Sequence, residues 1–256
     1  MRTTGWVLAA VLAAACRRDA CEGVNCEVGR YCENGNCVCA AGTISAVVVA
    51  GGAADQTVVG LSADARMGVR LFAQGTGKVR LGADSLDLGA ERTVYWAHVS
   101  GDDSISQLRP LASAARLGFG GAFSAVNGTL VYGSWSQTGL FDGRTLSALD
   151  GTDGLLARFD ATGALEKTML FGGRANQSFT AAFEDEQGNV FAAGSFSDTL
   201  WHEAGAAVAR GGKDVFVLAL NANWDFRWLR TFGGTGDDEP AALFLDPEGN
   251  VHVWAT

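Results

Sequence analysis

The chain has 256 residues, 48% of them hydrophobic and 18% charged, with a formal net charge of −9. That length supports one or two domains with a real core, and that composition excludes a disordered chain. The 19 lysines and arginines never cluster, which argues against a basic face for nucleic acid. Thirty-five glycines beside 3 prolines exclude a mostly helical protein. Without a collagen period they read as turn glycines of an all-β fold.

The chain opens MRTTGWVLAAVLAAAC, with one cation, Arg2, ahead of an apolar run from Gly5 to Ala15. The run is too short to span a bilayer and has the length of a signal-peptide core. Ala13, Ala14 and Ala15 then lead into Cys16. The stretch resembles a bacterial lipoprotein signal, which implies lipidation of Cys16. Ala13 stands where such signals usually place Leu, and Ala-x-Ala also suits ordinary signal cleavage. Residues 1–15 are therefore expected to be a signal peptide. Arg17, in place of Asp after the lipidated cysteine, implies outward sorting. The expected location is the outer membrane or cell surface by lipid anchor, and otherwise the periplasm or medium.

Residues 16–42 form a cysteine-rich segment. Cys21, Cys26, Cys32, Cys37 and Cys39 fall within nineteen residues, and no cysteine follows them. In an exported chain such density reads as disulfides, since so short a segment cannot build a core. Zinc is the alternative, disfavoured by an oxidising compartment. The spacing C-x4-C-x5-C-x4-C-x-C resembles the front of an EGF-like module. That resemblance implies Cys21–Cys32 and Cys26–Cys37 bridges. No sixth cysteine follows Cys39, which is then either free or paired with an unlipidated Cys16.

From residue 43 onward the chain repeats. Residues 133–141 read GSWSQTGLF and residues 194–202 read GSFSDTLWH, 61 residues apart. The same offset carries Phe171-Gly172-Gly173 onto Phe232-Gly233-Gly234, Phe183 onto Phe244, and Gly188-Asn189-Val190 onto Gly249-Asn250-Val251. Going backward it carries Leu155, Ala157 and Phe159 onto Val94, Trp96 and His98. A fainter copy has Gly51-Gly52 in the place of Gly172-Gly173. A fixed period of this kind marks a repeat architecture. Each unit reads as four strands, LLARF, EKTMLF, FTAAFEDE and VFAAGSFS, with Asp-x-x-Gly and Gly-Asn turns between them. A four-stranded unit of this length suits a propeller blade with a long outer connector.

The stretch GGKDVFVLALNANWDFRWLRTFGGTGDDEPAALFLDPEGNVHV resembles the bacterial β-propeller repeat called SBBP. Asp214, Phe216, Val217, Trp228, Gly233, Gly234, Gly236, Asp238, Asp246, Gly249, Asn250 and Val251 match its pattern. Ala219, Trp224 and Ala255 depart from it. The resemblance implies a β-propeller over residues 43–256, with blades at about 43–92, 93–153, 154–214 and 215–256. It implies no single activity. Residues 46–256 hold about 3.5 units of 61 residues, fewer than the 4–8 blades of a closed ring. The expectation is an N-terminal fragment of a longer protein, with completion of a ring by a homodimer as the rival.

Candidate sites are few. Asp237, Asp238 and Glu239 sit on one turn and make a weak calcium candidate, since hard carboxylate oxygens suit that ion. The alternative is a solvated loop, because the preceding unit has RANQS there. Turn capping explains Asp160 and Asp246. His98, His202 and His252 share no ligand spacing. Trp96, Trp135, Trp224, Trp228 and Trp254 read first as packing residues, and second as lining for a carbohydrate or cofactor. Asn127 and Asn176 match a glycosylation sequon that a bacterial context leaves empty. No nucleophile elbow, P-loop or dinucleotide fingerprint is present. The resulting expectation is a surface-anchored, non-enzymatic propeller that binds a protein or glycan and needs no cofactor. The alternatives are an exported propeller enzyme (lyase, glycosidase or quinoprotein-like) and a purely structural, adhesive repeat.

Overall fold

The computed structural model describes the backbone of residues 8–12, 30–33, 36–39 and 46–52, and then residues 56–63, 68–100, 105–125 and 128–256. Among them every regular element is a β-strand. Strand β1 (Leu8–Leu12) pairs antiparallel with β4 (Ala46–Gly52). A separate hairpin joins β2 (Arg30–Glu33) to β3 (Asn36–Cys39), with Cys32 directly opposite Cys37. Cys16, Cys21, Cys26 and Asn127 lie outside the described residues.

Three sheets then share one plan. Sheet I holds β5 (Gln56–Ala63), β6 (Val69–Gly75), β9 (Thr93–Val99) and β10 (Ile105–Ser113). The hairpin β7 (Lys78–Leu81) and β8 (Asp84–Asp87) leaves it between the second and third strands and pairs with β4. Sheet II holds β11 (Leu117–Ala125), β12 (Gly128–Phe141), β13 (Arg144–Asp160) and β14 (Leu165–Phe171). Its hairpin is the far end of β12 and β13, turned by Asp142-Gly143 with both φ angles positive, the type I′ chemistry of tight hairpins. Sheet III holds β15 (Gln177–Glu184), β16 (Val190–Phe196), β19 (Asp214–Leu220) and β20 (Phe226–Phe232). Its projecting hairpin is β17 (Thr199–His202) with β18 (Gly205–Val208). A last pair, β21 (Pro240–Leu245) and β22 (Val251–Ala255), repeats the first two strands of the plan.

Each four-stranded sheet is an antiparallel up-and-down meander in sequence order. The sequence unit and the sheet are out of phase. LLARF and EKTMLF close sheet II, whereas FTAAFEDE and VFAAGSFS open sheet III. The connector after VFAAGSFS, read from sequence as a long outer connector, is itself the β17–β18 hairpin.

The spacing of 61 is interrupted once. Phe123 pairs with Leu130 in sheet II, and Phe183 with Phe191 in sheet III. The β11–β12 turn is thus one residue shorter than its counterpart. Strands β6 and β9 consequently lie 60 residues, not 61, before β12 and β13: Val69 pairs with Val99 as Thr129 pairs with Phe159. Leu155, Ala157 and Phe159 correspond to Tyr95, Ala97 and Val99, which corrects the ungapped alignment to Val94, Trp96 and His98. The correction matters because a one-residue slip in a strand exchanges its two faces.

Packing explains the repeated phrase. Trp135 and Phe196 are fully buried in the second strand of their sheets, opposite Asp153 and Asp214. Gly133 and Gly194 precede them by two residues. A Cβ on Gly133 would meet the Gly118 carbonyl at 2.1 Å, and one on Gly194 the Ser178 carbonyl at 2.0 Å. No side chain fits so close to a neighbouring strand. Both contacts sit beside the β-bulge of the first strand, which brings that backbone inward.

Sheets I and II enclose one apolar cluster that includes Phe72, Trp96, Trp135, Phe141 and Phe159. Sheets II and III enclose another, with Leu130, Leu156, Phe171, Phe179 and Phe216. Strands β16 and β19 are buried at every position, so their sequences VFAAGSF and DVFVLAL are nearly continuous apolar runs rather than alternating ones. Arg70 ties sheets I and II: its guanidinium donates to Thr129 Oγ1 at 2.5 Å and to the Ala161 carbonyl at 2.9 Å.

Candidate functional site

The three first strands, β11, β15 and β21, border a groove of about 1030 Å³. One wall carries Phe123 and Tyr132. The floor is the run Thr180 to Glu184, and the opposite wall is the run Ala241 to Leu245. Consecutive residues point to opposite faces of a strand. A wall made of five consecutive residues is therefore a strand presenting its edge. This agrees with the pairing: among the described residues β15 is laddered only to β16, and β21 only to β22, while Thr180 Oγ1 donates across to the Pro240 carbonyl at 3.4 Å.

An aromatic ladder follows the repeat across the groove. Phe123, Phe183 and Phe244 occupy the same first-strand position in successive sheets. The Phe123 and Phe183 rings lie 6.4 Å apart, edge to face. Phe183 stacks on Phe191 at 5.3 Å, and Phe244 stacks on His252 at 4.9 Å with an interplanar angle of 6°. Phe244 also meets Trp254 edge to face, and both rings are exposed. Burial pushes the Tyr132 phenol above its ordinary value of 10.0.

The rim is acidic. Asp185 accepts from the backbone N–H of Gln187 and Asn189, and Asp246 from that of Asn250. These carboxylates cap the turns, as the Asp-x-x-Gly pattern predicts. Asp246 Oδ2 also lies 2.8 Å from His252 Nε2. That hydrogen bond, with those from Asn250, lowers the Asp246 carboxyl from 3.8 to about 2. Glu186, beside Asp185, is exposed, and so is Arg227, the groove's cation. Glu184 is buried and ion-paired with Arg158 at 3.1 Å.

The remaining sequence candidates lie elsewhere. Glu239 pairs with Lys213 Nζ at 2.5 Å, Asp238 accepts from the Gly234 N–H at 2.8 Å, and Asp237 bridges backbone to backbone with Lys213. Among the described residues no group of three or more His, Cys, Asp or Glu is arranged to hold a metal. Asp160 caps its turn through Thr162 and Ala164. Burial opposes its ionisation, but the hydrogen bonds from this turn outweigh that and leave its carboxyl below 3.8. The three histidines lie apart: His98 pairs within sheet I, His202 stacks on Phe226 at 5.7 Å, and His252 is at the groove. Trp96, Trp135 and Trp224 are buried in the inter-sheet clusters, Trp228 packs 6.3 Å from Phe191, and Trp254 alone of these is exposed.

Sequence reasoning aligned Phe183 with Phe244 but did not place them at a site. It missed Phe123, because the shortened turn shifts that residue to a spacing of 60. A search allowing one gap in the turn would have found the ladder. No protein-family model matches this chain, and no curated protein matches it either.

Proposed function

We propose that this chain is an exported, cell-surface β-propeller lipoprotein of the SBBP type, and that it binds a protein or glycan partner without transforming it. The observation that carries the reading is the groove. The same first-strand position opens on it from three successive sheets, with aromatic rings in register. Meandering four-stranded sheets stacked in sequence order support the propeller, since that is how blades are built. A rigid stack of sheets holds its loops and strand edges in fixed positions, which suits recognition. The N-terminal address and the cysteine-rich segment support a surface tether, with lipid on Cys16 and disulfides within Cys21, Cys26, Cys32 and Cys37.

Two measurements test the reading. Mass analysis of the mature N-terminus should find a diacylglyceryl group on Cys16, and Cys16→Ser should release the protein from the membrane fraction. Footprinting against panels of peptides and cell-wall glycans should find ligands that protect the groove around Phe244. An unmodified N-terminus sinks the anchor, and ligands that all protect surfaces elsewhere sink the groove.

A further inference from the structure

We propose that the groove takes an extended, lysine- or arginine-bearing peptide segment of a partner protein. This rests on the binding reading above and names its ligand class.

Three independent features converge on that class. The first is backbone chemistry. The edges of β15 and β21 line the groove through consecutive residues, 180–184 and 241–245, and among the described residues neither edge is laddered to a further strand, the bond between them being Thr180 Oγ1 to the Pro240 carbonyl at 3.4 Å. Rows of free N–H and C=O groups at matching spacing are what an added peptide strand satisfies. A saccharide or compact small molecule does not repeat donors and acceptors at that interval.

The second is charge. Arg158 neutralises Glu184 within the fold. Asp185, Glu186 and Asp246 then stand at the rim against Arg227 and against His252, whose Nε2 lies 2.8 Å from Asp246. The rim is net acidic, and so is the whole chain at −9. Such a site attracts cations and repels acidic segments.

The third is aromatic surface. Half-buried Phe183 and exposed Phe244 present aromatic surface beside those carboxylates. Lysine and arginine suit the combination: their methylene stems cover apolar surface while the charged head reaches a carboxylate or a ring face. Alternation along a strand then puts basic residues toward the rim and apolar ones against the rings.

The experiment is fluorescence anisotropy on the full-length protein with four probes. The first is the labelled peptide Gly-Lys-Val-Lys-Phe-Lys-Val-Gly-amide. The second replaces each lysine by glutamate. The third keeps every side chain but carries alternate N-methyl amides, which remove main-chain donors. The fourth is spermidine, as a competitor. The lysine peptide should bind at least about tenfold more tightly than either altered peptide, and added salt should weaken it. Glu186→Lys and Phe244→Ala change exposed side chains and should each weaken it by about fivefold or more with the melting temperature unchanged.

Equal binding of the glutamate peptide overturns the charge argument, and equal binding of the N-methylated peptide overturns strand addition. Spermidine competing as strongly as the peptide overturns the peptide class. Unchanged affinity in both variants removes the site. If a glycan or acidic ligand protects the groove while the lysine peptide does not bind, this inference fails and the binding function stands. If no ligand protects the groove, both fail.

Discussion

Asp153 presses against Gly172 so closely that a Cβ on the glycine would come within 2.1 Å of the Asp153 carboxylate. One repeat later Asp214 stands in the same relation to Gly233, at 2.5 Å. Asp153 and Asp214 are both buried, and each accepts a backbone N–H, from Leu149 and Arg210. The Phe-Gly-Gly phrase and the Asp of the third strand are thus two halves of one packing device. Gly172→Ala forces a methyl against the buried Asp153 carboxylate, whose Oδ2 is held by the Leu149 N–H. It should destabilise by about 1–3 kcal/mol, read by denaturant melts, whereas Gly143→Ala meets no neighbouring atom and strains only the backbone.

Burial raises the Asp153 carboxyl above 3.8, against the hydrogen bond from Leu149 and with a further push from Asp150. A carboxyl raised on folding binds protons more tightly in the native state, so stability should fall as pH rises from 3.8 through the raised value. Asp153→Asn keeps an acceptor for the Leu149 N–H and removes the charge. Its stability should lose that downward slope, measured by urea melts across the acid range. A slope equal to the parent's would reject the assignment.

Asp246 behaves in the opposite sense. Its carboxyl falls to about 2 because His252 and Asn250 bond its charged form. Its stabilising share is present above 3.8 and lost as pH drops toward 2. His252→Ala should move the Asp246 titration back up toward 3.8, followed by carbon NMR of the carboxylate. An unmoved midpoint would show that Asn250 alone sets it.

Trp224 takes the turn position that Gly163 holds one repeat earlier, and it does so at φ +70°. It is buried in the cluster with Leu218 and Leu220, and its indole N–H has no acceptor. Packing outweighs strain here: the ring's burial exceeds the left-handed cost of about 1–2 kcal/mol. Trp224→Ala should cost about 3–5 kcal/mol. Trp224→Gly should cost less than that, by about 1 kcal/mol, because glycine accepts the positive φ. The reverse order, with alanine the more stable, would mean the backbone is unstrained.

Arg158 joins sheets II and III through buried Glu184 and is ion-paired with Glu166 as well, at 3.2 Å. Removing Arg158 strands the buried Glu184 charge, whereas removing Glu184 leaves Arg158 its pairing with Glu166. Arg158→Met should cost about 3–5 kcal/mol, while the double change Arg158→Met with Glu184→Leu should lie closer to the parent than Arg158→Met. A double-mutant cycle in which the two costs simply add would show the pair to be uncoupled.

The amino-acid sequence by itself determined the all-β class, the strand-and-turn grammar and the period. These are local matters. Asp160 and Asp246 cap turns that their own neighbours define, and Gly133 and Gly194 recur because sheets II and III make the same close approach. What only the tertiary structure decided is register and edge. A single missing residue in the β11–β12 turn moves Phe123 out of step with Phe183, and a fixed offset cannot see it, although it exchanges faces all along β9. The phase of the sheets was equally hidden, because LLARF and FTAAFEDE are neighbours in the chain yet pair in different sheets. The groove follows from both. It exists where first strands of successive sheets leave edges side by side, and an edge is defined by which strand fails to pair, a long-range fact that no local pattern encodes.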